Sequence, residues 1–158
     1  MVRQQSGGPN RSLGSRTNAA VAAYGWGMTT ATPFLMFQRG VGREAVDFYM
    51  SVFSDGEVLD LDLYPAGGPA PEGTIMRGRF RIGGQEFYVS DSFIEHAFDF
   101  TPSLSVWIEA DDSASQDAIV AALGEGGQTL MPLDNYGFSS RFGWVNDRFG
   151  VSWQVNLA

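Results

Sequence analysis

The sequence predicts an α+β fold, with two tandem βαβββ modules forming an open, barrel-like sheet around a cavity. Two observations carry this expectation. Thr32-Pro33 opens an apolar strand, a helical stretch and three more strand patterns ending at Asp91, and Thr101-Pro102 opens the same series ending at Leu157. The last strand pairs also correspond, Gly78-Arg79-Phe80 with Phe87-Tyr88-Val89 in one unit and Gly143-Trp144-Val145 with Trp153-Gln154-Val155 in the other. Self-similarity at this scale marks a repeated supersecondary unit, and a paired sheet is what two such units build.

The elements follow in order. Pro33–Gln38 is an apolar strand. Val41–Phe53 places Val41, Ala45, Phe48, Tyr49, Val52 and Phe53 on one helical stripe. Glu57–Tyr64 alternates as a strand, and Pro65–Gly73 is a Gly/Pro-rich loop. Ile75–Ile82 and Gln85–Ser90 form a hairpin across Gly83-Gly84, a pair suited to a primed turn. In the second unit Ser103–Glu109 is a strand. Ser113 and Gln116 have capping-box spacing, and Ile119, Ala122 and Leu123 continue a buried stripe until Gly124 to Gly127 stop the helix. Thr129–Leu133, Arg141–Val145 and Val151–Leu157 complete the module. The expected organisation is therefore residues 1–28 as a disordered tail or a misassigned start, and one domain over 29–158, with modules at about 32–91 and 101–157.

Composition narrows the function. The 158 residues are 44% hydrophobic and 13% aromatic, which is enough for one domain core. There is no cysteine, so disulfides and thiolate metal sites are excluded and a reducing cytoplasm is the expected location. No run of 18 apolar residues suggests a membrane span. All ten basic residues are Arg. Three of them (Arg3, Arg11 and Arg16) fall in residues 1–28 beside no acid, leaving seven Arg against 18 acidic side chains in the rest. Such a surface repels phosphate backbones, so no nucleic-acid partner is expected.

Several segments resemble the PhnB-like branch of the glyoxalase/bleomycin-resistance (vicinal oxygen chelate) superfamily. They are Thr32-Pro33-Phe34-Leu35-Met36-Phe37, Glu44-Ala45-Val46-Asp47-Phe48-Tyr49, Gly84-Gln85-Glu86-Phe87 and, most specifically, Gly143-Trp144-Val145-Asn146-Asp147-Arg148-Phe149-Gly150-Val151-Ser152-Trp153-Gln154. The resemblance spans about residues 32–157. It implies paired βαβββ modules, a bacterial source and usually a homodimer. Enzymes of the superfamily hold a divalent metal through His and Glu on inner strands. By resemblance those positions here are Phe34, Tyr88, Ser103 and Gln154, none of them a strong ligand for such an ion. No metal and no cofactor are therefore expected. Some relatives carry a demethylubiquinone-methyltransferase label, but no motif for an S-adenosylmethionine site is evident.

If those positions face the cavity, strand parity sorts the rest. Phe34, Met36 and Gln38 point inward, as do Glu86, Tyr88 and Ser90. Ser103, Ser105, Trp107 and Glu109 follow on the fifth strand, and Ser152, Gln154 and Asn156 on the last. Leu35, Phe37, Phe87, Val89, Leu104, Val106, Ile108, Val151, Trp153 and Val155 lie behind, toward the helices. The inner face mixes aromatic and hydrogen-bonding groups, which suits a ligand cavity. A solvated face or a dimer contact would also accommodate them.

Arg77, Arg79 and Arg81 share one strand face, either as an anion-recognising wall or as an exposed face balanced by carboxylates. Glu86 and Glu109 are candidates for a general acid/base pair. Gly40-Val41-Gly42-Arg43-Glu44-Ala45 has the spacing of a dinucleotide fingerprint, but three strands follow each helix, where that fold needs parallel βαβ units. His96, the one histidine, sits in a polar linker between the units.

The leading expectation is metal-independent small-molecule binding in the inter-module cavity. Phe34, Met36, Tyr88 and Trp107 would supply surface, and Ser103, Gln154 and Arg79 polar contacts. Alternatives are a metal-dependent lyase, isomerase or dioxygenase with a displaced metal site, or a purely structural dimer. The acidic surface would favour a cationic ligand, and the arginine strand an anionic one.

Overall fold

The computed structural model describes residues 29–157. The expectation of a tail or misassigned start over 1–28 lies outside the described residues. The first module comprises β1 (Phe34–Phe37), α1 (Gly42–Val52), β2 (Glu57–Leu63), β3 (Ile75–Ile82) and β4 (Gln85–Asp91). The second comprises β5 (Ser105–Glu109), α2 (Ser113–Gly124), β6 (Gln128–Asp134), β7 (Arg141–Asn146) and β8 (Ser152–Leu157). Each module is a four-stranded sheet, in the orders β1-β4-β3-β2 and β5-β8-β7-β6. The first strand of each pairs parallel with the last, Phe34 beside Tyr88 and Trp107 beside Gln154, and the other pairings are antiparallel. The two sheets remain separate and do not close into a barrel.

The helix-facing sides of both sheets share one core. Leu35, Phe37, Phe80 and Val89 reach it from the first sheet, and Val145, Trp153 and Val155 from the second. Helix α1 stands between them. Its Tyr49 ring lies 5.9 Å from Phe80 on one side and 5.1 Å from Trp153 on the other, and the Phe53 ring packs at a tilt against Trp153 at 5.4 Å. Alternation then turns the opposite faces of both sheets, those bearing Phe34 and Tyr88 or Trp107 and Gln154, away from this core.

A buried carboxylate ties the modules together. Asp147, in the β7–β8 turn, is only 3% exposed. Its Oδ2 accepts from Tyr49 Oη of α1 and from Trp153 Nε1, each at 2.8 Å. Its Oδ1 accepts from the amides of Phe149 and Val151 at 2.8 and 3.0 Å. Four donors satisfy a charge that burial would otherwise penalise heavily. Asp91 plays a comparable part at the end of β4, taking the amides of Gly42 and Ile75 at 2.8 Å each. It thereby satisfies an orphan donor at the start of α1.

Several local expectations need correction. The fifth strand begins at Ser105. Ser103 sits in the preceding turn, its hydroxyl 2.6 Å from that of Thr101, and Leu104 is exposed rather than turned to the helices. The cap of α2 is Asp112 with Ser115, since Asp112 Oδ1 accepts the Ser115 amide at 2.7 Å and Ser115 Oγ accepts the Asp112 amide. A carboxylate one residue earlier simply reaches those amides better than Ser113 does. Gln116, seen only as part of a cap, is instead fully buried, donating to the carbonyls of Arg141 and Val155.

Candidate functional site

The outward face of the first sheet is a charge ladder beside an aromatic pair. Strand register sets Arg77, Arg79 and Arg81 opposite Asp62, Asp60 and Glu57 of β2. The ion pairs are 3.2 Å for Arg77–Asp62, 2.6 Å for Arg79–Asp60 and 3.0 Å for Arg81–Glu57. From β4, Glu86 meets Arg81 at 2.8 Å and Arg79 at 3.7 Å. Hydrogen bonding to Asp60 raises the Arg79 pKa further above its ordinary value, and Glu86 does the same for Arg81. The three guanidiniums are thus already engaged by carboxylates. Next to them Phe34 stacks on Tyr88 at 6.3 Å between ring centroids.

The outward face of the second sheet is built differently. Register aligns Glu109, Asn156, Phe142 and Asp134 across its four strands, and Trp107, Gln154, Trp144 and Met131 one step along. Glu109 Oε1 accepts from Trp107 Nε1 and its Oε2 from Asn156 Nδ2, both at 2.7 Å. These two bonds, led by that from Asn156, lower the Glu109 pKa below the ordinary glutamate value. Trp107 is 49% exposed. Its ring lies 5.7 Å from Phe142, which packs against Phe138 at 5.1 Å and Tyr136 at 6.1 Å. Deeper along the face, Ser152 Oγ accepts from Trp144 Nε1 and lies 2.8 Å from Ser105 Oγ.

A cavity of about 680 Å³ opens along the free edge of β5. It is lined by Leu35, Ile82 and Phe87 of the first module and by Ser105, Val106, Trp107, Ile108, Glu109 and Ser152 of the second. It is of the size that accommodates small organic ligands. Among the residues expected from sequence, Trp107 and Glu109 line it. Phe34 and Met36 instead border a small recess of about 140 Å³ with Phe98. Tyr88, Arg79 and Glu86 lie on the ladder face of the first sheet, Gln154 stands beside Trp107 on the second, and Ser103 stays in its turn. Glu86 is spent on two arginines while Glu109 rests on neutral donors, so no described contact makes them a pair. The apolar contribution of Leu35, Ile82 and Phe87 was missed, because strand parity assigns them to the core and gives no sign of a gap there.

His96 borders a separate cavity of about 620 Å³. Gln38 fixes this linker from both sides, accepting the His96 amide at 2.8 Å and donating to the Phe98 carbonyl at 2.7 Å. The imidazole stacks on Phe98 at 4.7 Å, and its Nε2 is 3.0 Å from Ser92 Oγ.

The positions expected by resemblance to correspond to metal ligands do not fit an ion. Phe34 and Tyr88 present an aromatic stack, and Gln154 and the turn residue Ser103 are neutral donors. Among the described residues no group of three or more His, Cys, Asp or Glu could hold a metal. The glycine turn before α1 is likewise closed to a phosphate group, because Asp91 occupies the Gly42 amide. No described helix is long and apolar enough to cross a membrane.

Comparison with known proteins gives a consistent result. The model of the family described as 3-demethylubiquinone-9 3-methyltransferase matches residues 29–156. The structure of the PhnB protein from Bacillus cereus is 42% identical with a TM-score of 0.79, covering 82% of this chain and 100% of that one. Protein PA1353 from Pseudomonas aeruginosa is 29% identical with a TM-score of 0.69, covering 82% and 98%. The fosfomycin resistance protein FosX from Listeria monocytogenes shares the fold at 10% identity and a TM-score of 0.57, over 84% and 93%. No curated protein matches the chain.

Proposed function

Because the chain belongs to the family described as 3-demethylubiquinone-9 3-methyltransferase, within the PhnB-like glyoxalase/bleomycin-resistance proteins, we propose that it binds a small organic molecule without a metal. The observation carrying this reading is the cavity along β5, whose lining combines the half-exposed Trp107 and the Glu109 carboxylate with the apolar Leu35, Ile82 and Phe87. An aromatic surface offers contact area at little entropic cost, and a few fixed polar groups orient what lies on it. The family description names a methyl transfer. No step of that reaction is assigned to the residues of this chain. A cytoplasmic location is part of the proposal, in keeping with a chain free of cysteine.

Titration of intrinsic tryptophan fluorescence with cationic and anionic compound panels tests the reading. A saturable change is expected in the parent protein and a much smaller one in Trp107→Phe. Silence from both panels would remove it.

A homodimer is also proposed. β1 and β5 are edge strands of their sheets, and Phe34, Leu104 and Trp107 leave apolar surface exposed beside those edges. Unpaired edges and apolar patches are surfaces that proteins cover. Sedimentation at micromolar concentration should give twice the 17.2 kDa chain mass. A monomer throughout would exclude the dimer.

A further inference from the structure

We propose that the β5 cavity selects organic cations, a protonated amine or amidine on an aromatic or alkyl body, with the charge placed at Glu109 and the body against Trp107. This rests on the binding reading above and specifies its ligand class. The acidic balance of the chain and the arginines of β3 point in opposite directions on ligand charge. The contacts decide between them, because every β3 arginine is already matched to at least one carboxylate within 3.2 Å. An anion would have to displace Asp60 or Glu86 from bonds that strand register holds in place.

The charge environment at β5 is the reverse. The charged side chains lining the cavity are Asp99 and Glu109, both acidic. Asp99 has Arg39 at 3.7 Å, whereas Glu109 forms no ion pair among the described residues. Its two oxygens instead accept from the indole of Trp107 and the amide of Asn156, neutral donors that fix the carboxylate without cancelling its charge. The sheet positions around it are Trp107, Asn156, Phe142 and Asp134, with no basic residue among them. Arg141, next to Phe142 on β7, turns to the opposite face and engages Asp117 and Gln116. A fixed anion beside an electron-rich indole face is complementary to a cation twice over, through a charge-assisted hydrogen bond and through the ring quadrupole.

The test uses three planar isosteres, 2-naphthamidine, 2-naphthamide and 2-naphthoate, titrated calorimetrically into the full-length protein. The amidine is expected to bind about ten-fold or more tightly than the amide, and the naphthoate more weakly than either. Glu109→Gln should bring the amidine down to the affinity of the amide and leave the amide unchanged. As a check independent of any variant's folding, raising salt from about 0.05 to about 0.5 M should weaken the amidine alone. Naphthoate binding as tightly as the amidine, or an unchanged preference in Glu109→Gln, would overturn cation selection while leaving the cavity reading intact. Failure of all three ligands to bind would overturn both.

Discussion

Asp147→Ala should be the most damaging single truncation of a polar side chain, lowering stability by about 3–5 kcal/mol. It strands Tyr49 Oη, Trp153 Nε1 and the amides of Phe149 and Val151 in a buried site. Each orphaned donor costs about 1–3 kcal/mol, discounted for relaxation and for water entering the space. For a domain of this size the melting temperature should fall by roughly 10 °C. Chemical denaturation followed by near-ultraviolet circular dichroism would measure it, because Trp153 and Tyr49 both report on this site. A loss under about 1 kcal/mol would mean the carboxylate is not what joins the modules.

The pH dependence carries the same information with a definite sign. Burial raises the Asp147 pKa above the ordinary aspartate value, although the Trp153 and Tyr49 bonds act to lower it. The folded state therefore holds this proton more tightly than the unfolded chain does. That contribution to stability is fully present below the ordinary aspartate range and is lost as pH rises through the raised folded value. Asp147→Asn cannot titrate there. Its stability should lack this decline, so the gap between parent and variant should change across the interval.

The repeat and, among the described residues, both helices and all eight strands can be found from sequence, because apolar periodicity is local. Ile75–Ile82 is matched to the residue by its alternation and its Gly83-Gly84 turn. Membership of the PhnB-like family is also legible, from the segment around Asp147 above all. The roles of Asp91 and Asp147 are not legible. Both look like turn residues, and their burial depends on Gly42 and Ile75 in one case and on Tyr49, 98 positions away, in the other. Apart from Ser103 and Leu104, which precede β5, strand parity separates the two faces of each sheet, but it cannot tell which faces of different sheets meet. Here the helix-facing sides share the core, so the residues expected around one cavity divide between two outward faces. Arg79 shows the same limit. Period two places it on a face with Arg77 and Arg81, and only the register with β2 reveals that Asp60 neutralises it.

Gly42→Ala should destabilise the protein by about 1–3 kcal/mol, and the reason bears on the glycine motif before α1. A methyl at position 42 would lie 2.9 Å from Asp91 Oδ1 and 3.0 Å from its Cγ. The glycine is needed because a carboxylate of this same chain approaches the backbone there to accept the Gly42 amide. Gly40 serves the same turn with φ +71°, a conformation that side chains disfavour. Asp91→Ala should cost about 2–4 kcal/mol, since it leaves the Gly42 and Ile75 amides unpaired. The double variant separates this account from one in which the glycines cradle a nucleotide. With the Asp91 carboxylate gone, the new methyl at position 42 has room, so the two losses should sum to more than the double variant shows, by at least about 0.5 kcal/mol. A nucleotide cradle predicts additive stability losses and a ligand that stabilises the parent protein. Strictly additive losses in denaturant would therefore remove Asp91 as the reason for Gly42.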